Sequence, residues 1–442
     1  MQSKRILIVG DVFVDVNVAN RNNSQNVHLG GIFHSARAFS VIHSTYGICY
    51  TAPPYLESSI TKFSEILNCS YRENLATVDG APNVILIRDR FEAGNQEYSE
   101  ILRDQYKLNG TNDFEKVIQV FQPTDVLLYP IKEYTEQILH ICNKYKINIH
   151  IDVQYIDNTM NFVQIGKYDV RSLMLSTSTS YFINDCKKDV SILKSRLYKS
   201  GVKLLILKEN RGGSRIIDLE NDITYDIPCY PIEIKHSIGL GDCYNSVFIA
   251  NDNGNEFEIA GKMASFIASL YSCTYDYNLF KDLVSKFMSN SIESLKQLTG
   301  QRLAWEDRAN TMIYIAAPDF PDVDTRIIDQ IEENLVYHGF PVHRPIKENG
   351  LAKADISRAE ELAIFEKDIV SLDNSDLMIA ILLQSDPGTL VEIGYFFKSN
   401  KPIILFDPNK IAMNMFLMNS VSKVCYSMDE VTDSVFTHLS RR

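Results

Sequence analysis

Short apolar runs separated by stretches of helical period recur along the first two thirds of the chain. They are RILIV at Arg5 to Val9, VILI at Val84 to Ile87, DVLLY at Asp125 to Tyr129, INIHID at Ile147 to Asp152 and KLLILK at Lys203 to Lys208. Runs this short, alternating with helices, predict strands buried on both faces of a mostly parallel sheet. A helical stretch from Glu258 to Met288 follows, and around Ser289 to Asn310 polar residues take over. The pattern then restarts with a strand at Met312 to Ala316, an amphipathic helix through Thr325 to Gly339 and a strand FPVHR. A charged helix AEELAIFEKDIVSL, a strand DLMIAILL, a helix from Thr389 and a strand PIILF complete it. The predicted organisation is an α/β domain over residues 1–290, a linker over 291–310 and a second, smaller α/β domain over 311–442. No internal repeat or low-complexity tract interrupts it.

Composition narrows the function classes. The chain has 442 residues, 45% hydrophobic and 23% charged, enough for two cores and far from the disordered regime. A net charge of -12 without clustered Lys and Arg argues against a nucleic-acid partner, while leaving small anionic ligands open. The eight cysteines lack paired CxxC spacing and read as reduced structural thiols of a cytoplasmic protein. The first apolar run is cut by Gly10 and Asp11, too early for a signal sequence or a membrane span, so no membrane partner is expected.

The most informative stretch is Asp376-LMIAILLQS-Asp386-PG-Thr389-LV-Glu392-IGY, which reads as strand, loop and helix. Ligands of open α/β sheets sit beyond the carboxyl ends of the strands, so Asp386 and Glu392 would border such a crevice. A helix N-terminus would favour an ionised Glu392, as a nucleophile requires. The same letters also fit a capping box, in which Thr389 caps the helix and Glu392 only reaches back to it.

The region from Met312 to about Val424 resembles the nucleoside 2-deoxyribosyltransferase family. The resemblance rests on Tyr314 in IYIAAPDF, on Asp368 and Asp376 in FEKDIVSLDNSD, and on DPGTLVEIGY followed by KPIIL. It implies that Glu392 is the nucleophile at the anomeric carbon, that Tyr314 orients it, and that Asp376 and Asp386 contact base and sugar. Asn414, with Asn419 close by, matches the asparagine that reaches into a neighbouring subunit's site, so a homo-oligomer is expected. Such chemistry breaks a glycosidic C–N bond through a glycosyl-enzyme intermediate, with a second base or water as acceptor and no cofactor. His338 and His343 read as surface or packing residues, and Arg344 as a phosphate contact if the substrate is a nucleotide.

Residues 1 to about 290 resemble the ribokinase (PfkB) family. The carriers are GDVFVD at Gly10 to Asp15, the Gly30-Gly31 pair opening a helix, the lid-like strand from Val84 to Ser99, and Gly239-Leu-Gly241-Asp242 within HSIGLGDCYNSVF. Glycines at a helix start let the backbone approach a phosphate, and Asp242 would take the proton of the substrate hydroxyl. The resemblance implies a central mostly parallel sheet with a small lid, beside a Rossmann-like or flavodoxin-like second domain. It also implies ATP and Mg2+ as cofactors, substrate binding by Asp15, Gly30 and Gly31, and nucleotide binding by Gly239, Gly241, Asn184 and Gly213. Several positions depart from the family pattern. His236 replaces an aspartate, His34 or Ser35 a substrate-binding asparagine, Lys187 the metal-linked glutamate after Asn184, and Lys208 and Asn210 a threonine and a glycine.

Together these readings predict a bifunctional enzyme acting on nucleosides, nucleotides or sugars. One half would phosphorylate a sugar or nucleoside with ATP and the other would cleave or exchange the N-glycosidic bond. The alternative is an altered kinase domain that binds a nucleotide and regulates an N-glycoside hydrolase of nucleotides or NAD, as in defence against phage.

Overall fold

The computed structural model describes residues 4–18, 25–88, 98–110, 112–131, 133–153, 165–230, 232–289, 297–320, 322–350 and 357–440. The chain forms two compact units, with the change from one to the other between Arg302 and Leu303.

The first unit is built on fourteen strands: β1 (Arg5–Asp11), β2 (Val14–Asn17), β3 (Asn26–Leu29), β4 (Thr45–Ala52), β5 (Tyr71–Asp79), β6 (Val84–Ile87), β7 (Tyr98–Glu100), β8 (Lys107–Asn109), β9 (Asp125–Leu128), β10 (Asn148–Asp152), β11 (Val170–Ser176), β12 (Leu204–Lys208), β13 (Ser214–Asp218) and β14 (Ile223–Ile227). Ten of them form one sheet in the order β14-β13-β12-β11-β10-β9-β1-β4-β5-β8. Its centre is parallel, and only β12–β13, β13–β14 and β5–β8 pair antiparallel. Ile6, Leu7, Ile8 and Val9 are fully buried, as a strand covered on both faces requires. β6 lies instead in a separate four-stranded sheet of order β3-β2-β6-β7. That sheet is the small lid element of the predicted architecture; residues 89–97 of its expected strand lie outside the described residues.

The second unit has five parallel strands: β15 (Ile313–Ala316), β16 (Val342–His343), β17 (Leu377–Ile381), β18 (Ile403–Phe406) and β19 (Lys423–Cys425). Their order β16-β15-β17-β18-β19 is the doubly wound arrangement of flavodoxin-like folds, and the order reverses between β15 and β17. Alternate residues of β15 feed different cores: Ile313 and Ile315 pack with the helices Arg326–Tyr337 and Met428–Leu439, while Tyr314 and Ala316 pack with the helix Pro387–Phe397 on the opposite face.

Part of the stretch expected as linker is packed structure. Leu303 and Trp305 are buried, and Arg308 has no exposed surface. Arg308 donates to the carbonyl oxygens of Leu303 and His338 and lies over the rings of Trp305 and Phe436. Gly339 has φ 86 and abuts the Trp305 ring, so a side chain there would displace it. Low apolar density hid this because one tryptophan and one arginine do the packing of several aliphatic residues. Among the described residues no helix is long and apolar enough to cross a membrane. All eight cysteines are free, and none is fully exposed.

Candidate active sites

At the crevice where the second unit's strand order reverses, β15 contributes Tyr314 and the helix after β17 contributes Glu392. The Tyr314 hydroxyl donates to Glu392 Oε1 at 2.7 Å. The capping-box alternative fails on this geometry. The helix cap is Asp386, whose carboxylate accepts from the Thr389 amide at 2.7 Å and the Thr389 hydroxyl at 2.8 Å. With Thr389 already inside the helix, Glu392 stands about two turns beyond the cap and is free to face Tyr314.

Electrostatics single out the same carboxylate. Burial pushes Glu392 up to about 7; the Tyr314 hydrogen bond opposes this, and the charges of Asp368 and Asp386 add to it. Tyr314 is held well above the usual phenol range by burial and by Glu392, so it stays a neutral donor. Its ring stacks on His343, with centroids 5.4 Å apart. Asp368 is raised from the ordinary carboxylate range by burial, against a hydrogen bond of 2.7 Å from the Asn349 amide.

The acidic residues expected around Glu392 are only partly those found. Asp386 is both helix cap and electrostatic neighbour. Asp376 is not in the cluster. It sits at the amino end of β17, where its carboxylate accepts from the Met312 amide at 2.9 Å. A strand of five residues spans about 16 Å, which separates it from the carboxyl-end crevice. Asp368 occupies the place expected for it. The helix Arg358–Asn374 runs back antiparallel to the strands and ends beside the start of β17. Six residues before that end, Asp368 is raised about 9 Å toward the crevice. Arg344 is not a phosphate contact either: it is buried and held by Asp319, Asp329 and Glu332 at 2.6 to 2.8 Å. Asn414 caps the helix Met415–Ser420 through the amides of Phe416 and Leu417 and is exposed, away from Glu392's hydrogen bonds.

In the first unit the glycine turn opens the helix Leu240–Asn251, with Gly239 at φ 73. Asp242 in its first turn is half-buried. Burial raises it to about 6, as does Asp152, while His34, Lys208 and a hydrogen bond from Tyr129 pull it down. Lys208 Nζ pairs with Asp152 at 2.9 Å and would lie 3.0 Å from a Cβ added at Gly241. Asn245 also donates to Asp152. Asp15 is buried and hydrogen-bonded to His34 Nε2 at 2.8 Å. Burial opposes the charged imidazole, but Tyr271, Asp15 and Asp242 raise His34 to about 10. Gly30 packs on the Asp15 carboxylate and Gly239 on the His34 ring so closely that a Cβ at either would overlap. The Tyr129 hydroxyl meets Ser35 at 2.7 Å, and His236 stacks on Tyr275 at 4.1 Å.

The expected nucleotide segment differs from its prediction. Gly213, at φ 95, backs onto the Ile227 carbonyl, and beside it the fully buried Glu209 is clamped by Arg215 and Arg302. Asn184 is exposed in a short π-helical segment, Tyr181–Asp185, and Lys187 is exposed at φ 53. These residues fit one half of an ATP–Mg2+ pair. Glycines, a helix N-terminus and the Lys208 ammonium suit a phosphate. A divalent ion fits poorly, because the carboxylate facing the turn, Asp152, already carries an ammonium and an amide, and Lys187 brings a charge of the wrong sign.

Residues 313–428 match the family model described as nucleoside 2-deoxyribosyltransferase. Among solved structures, ribokinase from Giardia lamblia aligns with 14% identity and a TM-score of 0.50, covering 64% of this chain and 100% of that one. Arabidopsis thaliana ribokinase, complexed with ribose and ATP, aligns at 13% identity and TM-score 0.49 over 66% of this chain and 100% of its own. A nucleoside kinase from Burkholderia thailandensis, in complex with inosine, aligns at 12% and 0.47 over 64% of this chain and 97% of its own. At such identities the likeness to the Giardia enzyme shows a fold: the first unit is ribokinase-like. No curated protein matches the chain.

Proposed function

We propose that the second unit breaks the N-glycosidic bond of a nucleoside or nucleotide, with Glu392 as nucleophile. The observation that carries this reading is the Tyr314 hydroxyl on Glu392 Oε1 at a doubly wound sheet's ligand crevice. The Glu392 carboxylate attacks the anomeric carbon and forms a glycosyl ester. The C–N bonding pair leaves with the base, which takes a proton from Asp368, whose raised pKa suits a general acid. Attack by a second base, or by water, breaks the ester and returns a proton to Asp368. Tyr314 keeps the attacking oxygen aimed and ionised, and Asp386 adds negative charge beside a transition state that develops positive charge on the sugar. The test is to incubate the chain with deoxynucleosides and ribonucleosides, with and without free bases, and to follow products by mass spectrometry. Exchange or base release that Glu392→Ala abolishes is expected; neither product from any substrate would refute the reading.

For the first unit, the geometry supports binding of a nucleotide phosphate at the glycine turn better than its transfer. His34 sits on the Asp15 carboxylate that a sugar would need, and Lys208 sits on Asp152. Asp242, near 6, retains the basicity of a proton acceptor. Calorimetry with ATP and a coupled ADP assay separate the cases: binding without turnover is expected, and turnover lost in Asp242→Asn would instead establish a kinase.

Self-association belongs to the same proposal. Phe365 and Val370 on the helix Arg358–Asn374, Val391 on the helix Pro387–Phe397, and Met413, Met415 and Phe416 are all more than half exposed. Only Leu372 of the 17-residue helix Arg358–Asn374 is buried. Apolar surface on this scale marks a protein interface, and a second copy seated there would carry its Asn414 with it. Sedimentation of wild type against Phe416→Glu tests it, with wild type larger than the variant.

A further inference from the structure

Beside the glycine turn, β2, β3 and the helix Ile32–Val41 meet at a cluster that neither reading above employs as a ligand set. Asp15 comes from β2, His28 from β3 and His34 from the first turn of the helix. One donor atom from each lies within 4.8 Å of the others, the only such group among the described residues. We propose that Asp15, His28 and His34 bind one divalent transition-metal ion of zinc's class, joining the small sheet to the first helix of the large unit.

The distances suit this. His34 Nε2 is 2.8 Å and His28 Nε2 3.5 Å from the same oxygen, Asp15 Oδ2. Ligands held at about 2.0 to 2.2 Å from tetrahedral zinc stand roughly 3.3 to 3.6 Å apart, so the His28 pair already fits and the His34 pair must open by about half an ångström to admit the ion. A bare imidazole lone pair and a carboxylate oxygen cannot face each other at 2.8 Å; a proton or a cation has to lie between them.

Burial points the same way. Asp15 and His34 are 2% and 4% exposed. His28 Nδ1 is buried without a hydrogen-bond partner, and its other nitrogen meets Asp15 only at 3.5 Å. The part-buried His28 Nε2 lies beyond a short hydrogen bond from Asp15, and a metal there gives that nitrogen a partner. The outer contacts are those of a ligating histidine. His34 Nδ1 lies 2.8 Å from the Tyr271 hydroxyl, whose oxygen also accepts from Arg37 at 3.3 Å. With Nδ1–H donating there, the Nε2 lone pair is turned toward Asp15. Outside the three, Asp242 and Arg37 are the nearest charges, and a metal on His34 Nε2 takes the place of the proton which that imidazole otherwise shares with Asp15. Two imidazoles with one carboxylate suit zinc, cobalt or iron(II) rather than magnesium, and leave a coordination position open.

The test uses the full chain, stripped with a chelator and titrated with Zn2+ and with Co2+. One equivalent of Zn2+ per chain is expected, raising Tm by about 2 °C or more at saturation. Co2+ should give a visible absorption of low-symmetry coordination in the wild type. His28→Gln should lose both effects, whereas His140→Gln, at an exposed histidine of another helix, should keep them. Absence of stoichiometric uptake by the wild type, or equal uptake and spectrum in His28→Gln, overturns the proposal. The Co2+ spectrum of unaltered protein decides the matter even if the variant folds poorly.

Discussion

Replacing Tyr314 with Phe removes one oxygen and leaves the ring that stacks on His343. What is lost is the 2.7 Å bond to Glu392 Oε1. Hydrogen bonds to a charged partner contribute about 1.5 to 3 kcal/mol, and 1.36 kcal/mol equals one unit of pKa. The bond favours the carboxylate, so its loss should lift Glu392 from about 7 by roughly 1 to 2 units. Asp368 and Asp386 act in the raising direction throughout and are unchanged by the substitution. A nucleophile works only when ionised, so the Glu392 limb of the kcat/KM profile should rise with pH through about 7 in the wild type, while loss of the Asp368 proton lowers wild type and variant alike. In Tyr314→Phe the same rise should come near pH 8 to 9, giving roughly a 5- to 50-fold loss at pH 7 that narrows toward pH 10. The assay is kcat/KM for a deoxynucleoside across pH 5 to about 10, with circular dichroism at each pH to exclude unfolding. A loss equal at every pH, or an unmoved rise, would refute the claim that Tyr314 acts by holding Glu392 ionised.

Glu392→Gln should abolish exchange and base release yet stabilise the fold at high pH. Because burial raises the folded pKa of Glu392 from 4.5 to about 7, its ionisation erodes stability as pH rises between those values. At pH 8 the amide should therefore unfold about 2 kcal/mol later than wild type in urea, and not at pH 4; an equal difference at both pH values would count against it. Asp376→Asn should leave kcat/KM within about threefold of wild type and lower stability by about 1 kcal/mol, since only the Met312 amide bond is affected. A large fall in kcat would return Asp376 to the site. Arg344→Met should lower stability by about 2 kcal/mol, because Asp319 loses its ion pair while Lys347 still holds Glu332 and Asp329, which denaturant unfolding measures; a neutral effect would refute the burial argument.

Strand and helix alternation was readable because buried parallel strands must be nearly all apolar, as Ile6 to Val9 and Leu377 to Ile381 are. Glu392 and Tyr314 were readable through the family resemblance of DPGTLVEIGY and IYIAAPDF, because spacing alone left Glu392 open as part of a helix cap. Choosing between Asp368 and Asp376 was not, since both lie in one polar stretch and only the direction of the returning helix separates them in space. That direction was available from the βαβ pattern: a helix residue two turns before the next strand belongs to the crevice end, and a strand's first residue to the other. The pairs Asp15–His34 and Lys208–Asp152 lay beyond sequence, because 19 and 56 residues separate the partners and no local period links them.

Glu392 and Asp242 are brought to similar basicity by burial, about 7 and about 6, yet sit in opposite fields. Around Glu392 the other ionisable groups are acids, Asp386 and Asp368, the second becoming a carboxylate as it gives its proton to the leaving base, and the hydrogen-bond donor is a neutral phenol. Such a field stabilises positive charge, which an anomeric carbon develops as its C–N bond breaks. Around Asp242 stand two cations, His34 and Lys208, and one carboxylate, Asp152, at the amino end of a helix. Two cations and a helix start against one carboxylate leave a field that supports the proposed binding of a phosphate. Basicity alone makes the two acids look alike; the sign of the surrounding charge supports the glycosyl chemistry proposed for one and the nucleotide binding proposed for the other.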